Sequence, residues 1–165
     1  MSDVQARELV ALLCSRILRC RTGILLLAPE DSGRETEIAA RLGVDAVDYA
    51  QVLRESLPPG ASFPDIGSER EEARLDALCD RADLGDCVLV YNLHSALEQV
   101  HLQDRARFWT NLRDWFPHRR RALLLAMPLE AEQFLPGGEE RETWHEGNRI
   151  AGTADEVGPD LKLEE

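Results

Sequence analysis

The residues best placed to do chemistry lie in a loop at residues 27–36, directly after a short apolar run. Their spacing fits G-x-x-x-x-G-K-[ST], a motif whose backbone N–H groups hold phosphate while its lysine and hydroxyl serve the phosphates and magnesium. Here Ala28 replaces the first glycine, Arg34 the lysine and Glu35 the hydroxyl, and only Gly33 is retained. The pattern predicts a loop at the position of a phosphate site, but without the lysine and the hydroxyl of the motif.

Acidic residues in this loop oppose phosphate binding. Glu30 and Asp31 would bring negative charge towards a triphosphate. Ser32 and Glu35 have the S-x-x-E spacing of a capping box, in which the glutamate bonds to backbone donors that a phosphate would otherwise use. We expect the loop to supply its own anion in this way. The plain alternative is an ordinary strand-to-helix turn with good capping.

The apolar run at residues 87–91 offers a second comparison with nucleotide hydrolases. In those enzymes an acidic side chain organises magnesium and the attacking water. Tyr91 occupies the acidic position in this chain, and the amide of the following Asn92 cannot serve as a general base. With two catalytic elements replaced, the sequence predicts that the protein does not hydrolyse nucleotides.

Short unbroken apolar runs alternate with amphipathic helical patterns along the chain. Such runs are too short for buried helices and are typical of parallel strands covered on both faces. The predicted strands are residues 23–28, 44–49, 87–91 and 122–127, with the first and the last of them central. The sequence therefore predicts an α/β fold with a mainly parallel sheet, whose ligand-binding edge lies at the carboxyl ends of the strands.

Three short stretches carry a resemblance to a known family. They are G-h-h-h-h-x-P-x-x-S-G at residues 23–33 (h is apolar), the h-h-x-N-[IL] run ending at Asn92-Leu93, and Ala126-Met127-Pro128. They resemble the P-loop NTPase superfamily in its AAA-type branch, and more narrowly the small single-domain P-loop protein of type 3 BREX phage-defence systems. The resemblance implies a three-layer P-loop NTPase-like fold with a mainly parallel sheet of about five strands, and a part in a multi-protein defence system.

The same resemblance outlines a vestigial nucleotide site. Its residues are Pro29, Ser32, Gly33, Arg34, Glu35 and Asn92. Because the lysine, the hydroxyl and the acid of the family are all replaced, no catalytic residue, metal ligand or cofactor is expected. A functional ATP-binding or ATPase component with Mg²⁺ and an atypical phosphate loop is the alternative.

Composition limits the class of partner. The chain has 19 basic and 31 acidic residues, a net charge of −12, and such a molecule is repelled by nucleic-acid backbones. No apolar run is long enough for a membrane span, and the first residues do not look like a secretory signal, so a cytoplasmic protein is expected. The four cysteines form no C-x-x-C pair and are expected to be buried thiols rather than disulfides or zinc ligands.

Six arginines between residues 105 and 121 stand out in this acidic chain. Aromatic residues at helical spacing accompany them, so we expect Trp109 or Trp115 in the core and the arginines on the outside. The predicted interface with a protein partner or a second copy consists of Arg105, Arg107, Arg113 and Arg119. An ordinary solvated helix end, or a nucleic-acid-binding module, are the alternatives.

The sequence predicts one folded domain and an acidic C-terminal segment. Residues 1–136 are predicted to form a single P-loop-like α/β domain, followed by an acidic, partly extended segment at residues 137–165. The expected function is that of a non-hydrolysing accessory protein, which acts through protein contacts in a multi-protein complex of bacterial anti-phage defence.

Overall fold

A five-stranded β-sheet organises the protein in the computed structural model, which describes residues 3–57, 59–60, 66–116 and 120–153. The strands are β1 (Thr22–Leu27), β2 (Asp45–Asp48), β3 (Cys87–Tyr91), β4 (Ala122–Pro128) and β5 (Ile150–Gly152). They lie in the order β2-β3-β4-β1-β5, and every neighbouring pair is parallel. The predicted α/β fold is confirmed, and β1 and β4 pair with each other inside the sheet as expected.

Helices connect the strands, as parallel pairing requires. The described residues form α1 (Asp3–Cys14), α2 (Glu35–Leu42), α3 (Tyr49–Glu55), α4 (Ser68–Leu78), α5 (Leu93–Leu97), α6 (Leu102–Thr110) and α7 (Gly138–Glu146). A π-helical turn at Asn111–Trp115 continues α6, and short 3-10 turns occupy Pro29–Asp31 and Glu132–Phe134.

Both faces of the sheet are covered, which gives the fold three layers. Side chains alternate between the faces of a strand. Ile24 and Leu26 of β1 join a large core with α3 to α7, whereas Leu25 and Leu27 join a smaller core with α1 and α2. Every residue of β1 is buried, and this double coverage explains why its sequence shows no alternation of apolar and polar residues.

Residues 138–153 add a helix and a strand that the sequence patterns did not predict. Arg149, which precedes β5, is buried and donates hydrogen bonds to the carbonyl oxygen (2.9 Å) and the hydroxyl (2.6 Å) of Thr22. Its guanidinium lies 4.7 Å from the ring centre of the buried Trp144 in α7. Part of the acidic C-terminal segment therefore belongs to the sheet and its covering layer. Residues 154–165 lie outside the described part of the chain.

The aromatic pattern of α6 is only partly reflected in the structure. Trp109 is buried, with its indole N–H donating to the carbonyl of Phe134 over 2.9 Å, whereas the side chain of Trp115 is 68% exposed. The π-helical turn explains the difference. The N–H of Phe116 bonds to the carbonyl of Asn111, five residues earlier, so the wider turn directs Phe116 into the core in place of Trp115.

Candidate functional site

The carboxyl ends of β1, β3 and β2 bring the predicted nucleotide-site residues to one edge of the sheet, where parallel α/β folds bind ligands. The loop at residues 28–34 follows β1, Asn92 follows β3, and Asp48 ends β2. We refer to this region as the loop edge. It contains all six residues of the vestigial nucleotide site.

The loop itself is folded tightly and uses four of its backbone donors within the protein. Residues 29–31 form a 3-10 turn in which Pro29 has no N–H to offer. Backbone N–H groups of the loop donate to acceptors within the protein: Ala28 to Thr153 Oγ1 (2.8 Å), Asp31 to the carbonyl of Ala28 (2.8 Å), Ser32 to that of Pro29 (3.3 Å) and Arg34 to that of Asp31 (3.0 Å). A phosphate-binding loop instead directs such groups at its ligand. In this structure, these four N–H groups are therefore already bonded to acceptors of the protein.

Arg34, at the position of the motif's lysine, is held by two nearby carboxylates, Glu37 in α2 and Asp31 in the preceding 3-10 turn. Its Nε and Nη2 donate to the two carboxylate oxygens of Glu37 over 2.9 and 3.1 Å, and its Nη1 lies 3.4 Å from Asp31 Oδ1. The hydrogen bond and charge of Arg34 lower the pKa of Glu37. To reach a phosphate, the guanidinium would have to leave this forked contact.

The expected capping box at Ser32 and Glu35 is not formed, so this prediction is wrong. Helix α2 begins at Glu35 with Arg34 as its N-cap residue, and no side chain bonds to the cap. Gly33 has a φ of +88°, and the turn that it makes separates Ser32 from the helix. The Ser32 hydroxyl donates instead to Glu130 Oε1 over 3.4 Å. Four backbone donors of this loop bond to carbonyl groups of the loop or to Thr153, and not to Glu35.

The end of β3 holds a neutral phenol and an amide that supports the neighbouring strand. Asn92 has a φ of +67°, and its Nδ2 donates to Asp48 Oδ1 over 2.8 Å. The same carboxylate oxygen accepts the N–H of Ala50 over 2.9 Å and so caps α3. Burial raises the pKa of Tyr91, and the charges of Asp48 and Glu35 raise it further. Asn92 therefore has a structural partner, and Tyr91 offers neither an acid nor a base near neutral pH.

Sequence reasoning missed two residues of the loop edge. Asp48 had a readable signal, because an aspartate between an apolar run and a helix is typical of an N-cap. Thr153 had none, since β5 is only three residues long and follows a polar stretch. Its contact with Ala28 depends on the pairing of β5 with β1.

The predicted interface arginines are divided by the structure. The expectation of an outward position is wrong for Arg105. Its Nε donates to the carbonyls of Leu97 (2.8 Å) and Val100 (2.9 Å), and its guanidinium lies 4.9 Å from the ring centre of Phe134. The side chain thus bonds to carbonyl groups at the end of α5 and in the turn that follows it.

Arg113 is also held inside the fold. Its side chain is 18% exposed, and its Nε and Nη2 donate to the carboxylate of Glu140 in α7 over 2.6 and 3.3 Å. This contact raises the pKa of Arg113. Arg107 is different, because its side chain is 61% exposed. Its Nη2 donates a hydrogen bond to a carboxylate of its own helix, Asp104. Arg119 lies outside the described residues.

Comparison with known proteins adds no functional assignment. No family model matches the sequence, and no curated protein is significantly similar to it. Within the described residues, no helix combines the length and the apolar character that crossing a membrane requires. In the same part of the chain, His, Cys, Asp and Glu side chains do not converge in a group of three that could hold a metal ion.

Proposed function

We propose that this protein is a non-hydrolysing, P-loop-like accessory protein that acts through contacts with other proteins in a multi-protein complex. One observation carries the proposal: the backbone N–H groups of Ala28, Asp31, Ser32 and Arg34 are bonded within the protein, and the Arg34 side chain is held by Glu37 and Asp31. A triphosphate that used these groups would first have to break their present contacts. Its negative charge would also meet the carboxylates of the loop edge.

The residues at the end of β3, Tyr91 and Asn92, also support a protein that does not hydrolyse nucleotides. Phosphoryl transfer needs a group that positions the nucleophile and a metal that neutralises the developing charge. Tyr91 is a phenol whose pKa is raised by burial and by nearby carboxylates. The amide of Asn92 is committed to Asp48. On this proposal the parallel α/β fold is retained without nucleotide chemistry, and these side chains support its structure.

An α/β domain that does not use nucleotides can still bind other proteins through its surface. Helix α6 and its π-helical extension offer such a surface. Leu102 and Trp115 are the largest exposed apolar side chains of this segment, at 73% and 68%, and Arg107 is exposed between them in sequence. Exposed tryptophan and arginine are the residue types enriched at the centres of protein interfaces. We define Leu102, Arg107 and Trp115 as the α6 surface and assign the partner contact to it, together with Arg119.

The resemblance of the loop and strand motifs to the small P-loop protein of type 3 BREX systems supplies the proposed setting. In that setting the protein is cytoplasmic and belongs to a bacterial anti-phage defence complex. The partner is another protein of the complex or a second copy of this chain. Nucleic acid is not a direct partner, because the net charge of −12 repels phosphate backbones.

Two measurements test the proposal. Calorimetric titration with ATP and Mg²⁺ should give no binding in the low-micromolar range, and an affinity in that range would favour the ATP-binding alternative. Affinity purification of the tagged chain from its host should recover a stable partner, and light scattering of the purified chain should reveal a second copy if the partner is the chain itself. A chain that is monomeric and recovers no protein would contradict the proposal.

A further inference from the structure

Two cysteines from distant parts of the sequence meet in the smaller core of the protein. Cys14 is the last residue of α1, and Cys87 is the first residue of β3. Cys87 is buried in the cluster that α1 and α2 form on the sheet, and Cys14 is half-buried against the same cluster. Arg21 bonds to the residue that precedes each cysteine, Leu13 and Asp86, and each thiol shifts the pKa of the other. The pair thus consists of one partly exposed thiol and one buried thiol.

The surroundings of the pair shift the pKa values of the two thiols in opposite directions. The hydrogen bond from Cys87 lowers the pKa of Cys14 to about 7, against the opposing effects of burial and of the Asp86 carboxylate. The same contact, together with burial, raises the pKa of Cys87. Cys14 therefore carries a large thiolate fraction near neutral pH, and Cys87 keeps its proton. A thiolate is the nucleophilic form of cysteine.

Arg21 and Asp86 fix the frame around the two thiols. Arg21 Nε donates to the carbonyl of Leu13, next to Cys14, over 2.8 Å. Its Nη2 donates to Asp86 Oδ2, next to Cys87, over 3.3 Å. The guanidinium thus ties the end of α1 to the start of β3 and holds the two cysteines together.

We propose that Cys14 and Cys87 form a peroxide-sensitive dithiol, in which Cys14 is the reactive thiol and Cys87 the resolving one. In the first step the Cys14 thiolate attacks a peroxide oxygen, so that an S–O bond forms and the O–O bond breaks. Hydrogen peroxide then leaves one water after protonation, and Cys14 becomes a sulfenic acid. In the second step the Cys87 sulfur attacks Cys14, an S–S bond forms, and the sulfenic oxygen leaves as water with the proton of Cys87. Two thiols are oxidised by two electrons, and one peroxide is reduced to two waters.

The two cysteines differ in the backbone that carries them, a helix end for Cys14 and a strand for Cys87. The α1 helix ends at Cys14, and the following residues form a turn in which Arg16 has a φ of +64°. A helix end followed by a turn adjusts more readily than a strand inside the sheet. We therefore expect the Cys14 side to move while Cys87 keeps its place in β3.

The other two cysteines serve as internal controls. Cys20 is buried, its thiol donates to the carbonyl of Phe116 over 3.0 Å, and burial raises its pKa. Cys79 is buried, and its thiol donates to the carbonyl of Leu75 over 3.5 Å. Both lie in the larger core, on the other face of the sheet from Cys14 and Cys87.

The test exposes the purified full chain to hydrogen peroxide and counts the remaining thiols. We expect the loss of two of the four thiols, a mass lower by about 2 Da, and recovery of both by dithiothreitol. The four cysteines fall on separate tryptic peptides, so the product should contain residues 8–16 joined to residues 82–105. Retention of all four thiols, a different pair of joined peptides, or only irreversible oxidation of Cys14 would overturn the proposal.

Two single variants separate the roles of the thiols. Cys87→Ser should leave a sulfenic acid on Cys14 that a dimedone probe captures, and the joined peptides should disappear. Cys14→Ser should leave the remaining three thiols unreacted under the same conditions. A Cys20→Ser, Cys79→Ser double variant, with its fold checked by circular dichroism, should still form the joined peptides. If peroxide consumes the Cys87 thiol of the Cys14→Ser variant, the assignment of roles is wrong.

Discussion

The hydroxyl of Thr153 accepts a 2.8 Å hydrogen bond from the backbone N–H of Ala28, the first donor of the loop. Replacing Thr153 with valine keeps the shape of the side chain but removes the acceptor. Because a part-buried N–H then loses its partner, the free energy of unfolding should fall by about 1–2 kcal/mol, measured by urea denaturation. Thr153→Ser retains the hydroxyl and is the matched control. Equal stability of the valine and serine variants would show that the bond does not support the loop.

Restoring the motif residues should improve nucleotide binding. Arg34→Lys removes the forked contact with Glu37, and Glu35→Ser supplies the hydroxyl that can hold magnesium. The double variant should bind ATP with Mg²⁺ more tightly than the parent chain in a calorimetric titration. Addition of Tyr91→Asp is needed for turnover, since the parent has a phenol at the acidic position. A double variant that binds no better than its parent would mean that the backbone bonds of the loop, and not these side chains, exclude the nucleotide.

Arg105 and Arg107 should respond oppositely to charge reversal, although they are two residues apart. Arg107→Glu should leave the free energy of unfolding within about 0.5 kcal/mol of the parent value and abolish partner binding. Arg105→Glu should destabilise the fold by about 2 kcal/mol or more, because the end of α5 loses its donor and gains a negative charge near carbonyl groups. Thermal denaturation and partner co-purification measure the two effects.

A matched control for Arg107 is available in the loop between α4 and β3. Arg81 is an exposed arginine paired with a nearby carboxylate, Asp83, as Arg107 is with Asp104. Arg81→Glu makes the same change of charge and should leave partner binding intact. If both reversals weaken binding equally, the contact depends on net charge and not on the α6 surface.

The contact between Arg113 and Glu140 should make part of the stability depend on pH. Burial raises the pKa of Glu140, but hydrogen bonds from Arg113 and Thr110 outweigh it and lower the pKa below the usual 4.5. The carboxylate therefore contributes fully above about pH 4.5, and this stability is lost as the pH falls through the lower pKa of the folded state. Glu140→Gln should cost about 2 kcal/mol at pH 7, and the difference from the parent should shrink in acid. A difference that stays constant down to pH 3 would contradict this account.

The reactivity of Cys14 should report its hydrogen bond with Cys87. Alkylation of Cys14 by iodoacetamide should reach half its maximal rate near pH 7, because the thiolate is the reacting form. Cys87→Ala removes the donor, so the midpoint should rise towards the ordinary value of 9.0. Mass spectrometry of residues 8–16 follows the reaction, and an unchanged midpoint would show that Cys87 does not stabilise the thiolate.

The sequence predicted the sheet well because burial on both faces leaves a local signature. The apolar runs of β1, β3 and β4 contain no polar residue to suggest an exposed face, and their parallel pairing follows from the intervening helices. The capping box failed for the opposite reason. Its S-x-x-E spacing assumes continuous helix geometry, and the positive φ of Gly33 breaks that geometry between Ser32 and Glu35.

Long-range contacts account for the other differences. Trp115 and Phe116 are adjacent aromatic residues, and the π-helical turn decides which of them is buried. Arg113 meets Glu140 across 27 residues, and Ala28 meets Thr153 across 125. Such pairs leave no local pattern in the sequence. A prediction from charge and aromatic spacing therefore places all the interface arginines on the outside.

The strand order also determines when the sheet can be completed during synthesis. β1 is made first, but its neighbours are β4 and β5, which begin at Ala122 and Ile150. Until those residues emerge from the ribosome, six consecutive residues with the sequence TGILLL have unpaired strand edges on both sides. Exposed apolar strands of this kind are prone to aggregate. The nascent chain should therefore be a good client for chaperones that bind short apolar segments, and shortening the chain before Ile150 should increase its aggregation.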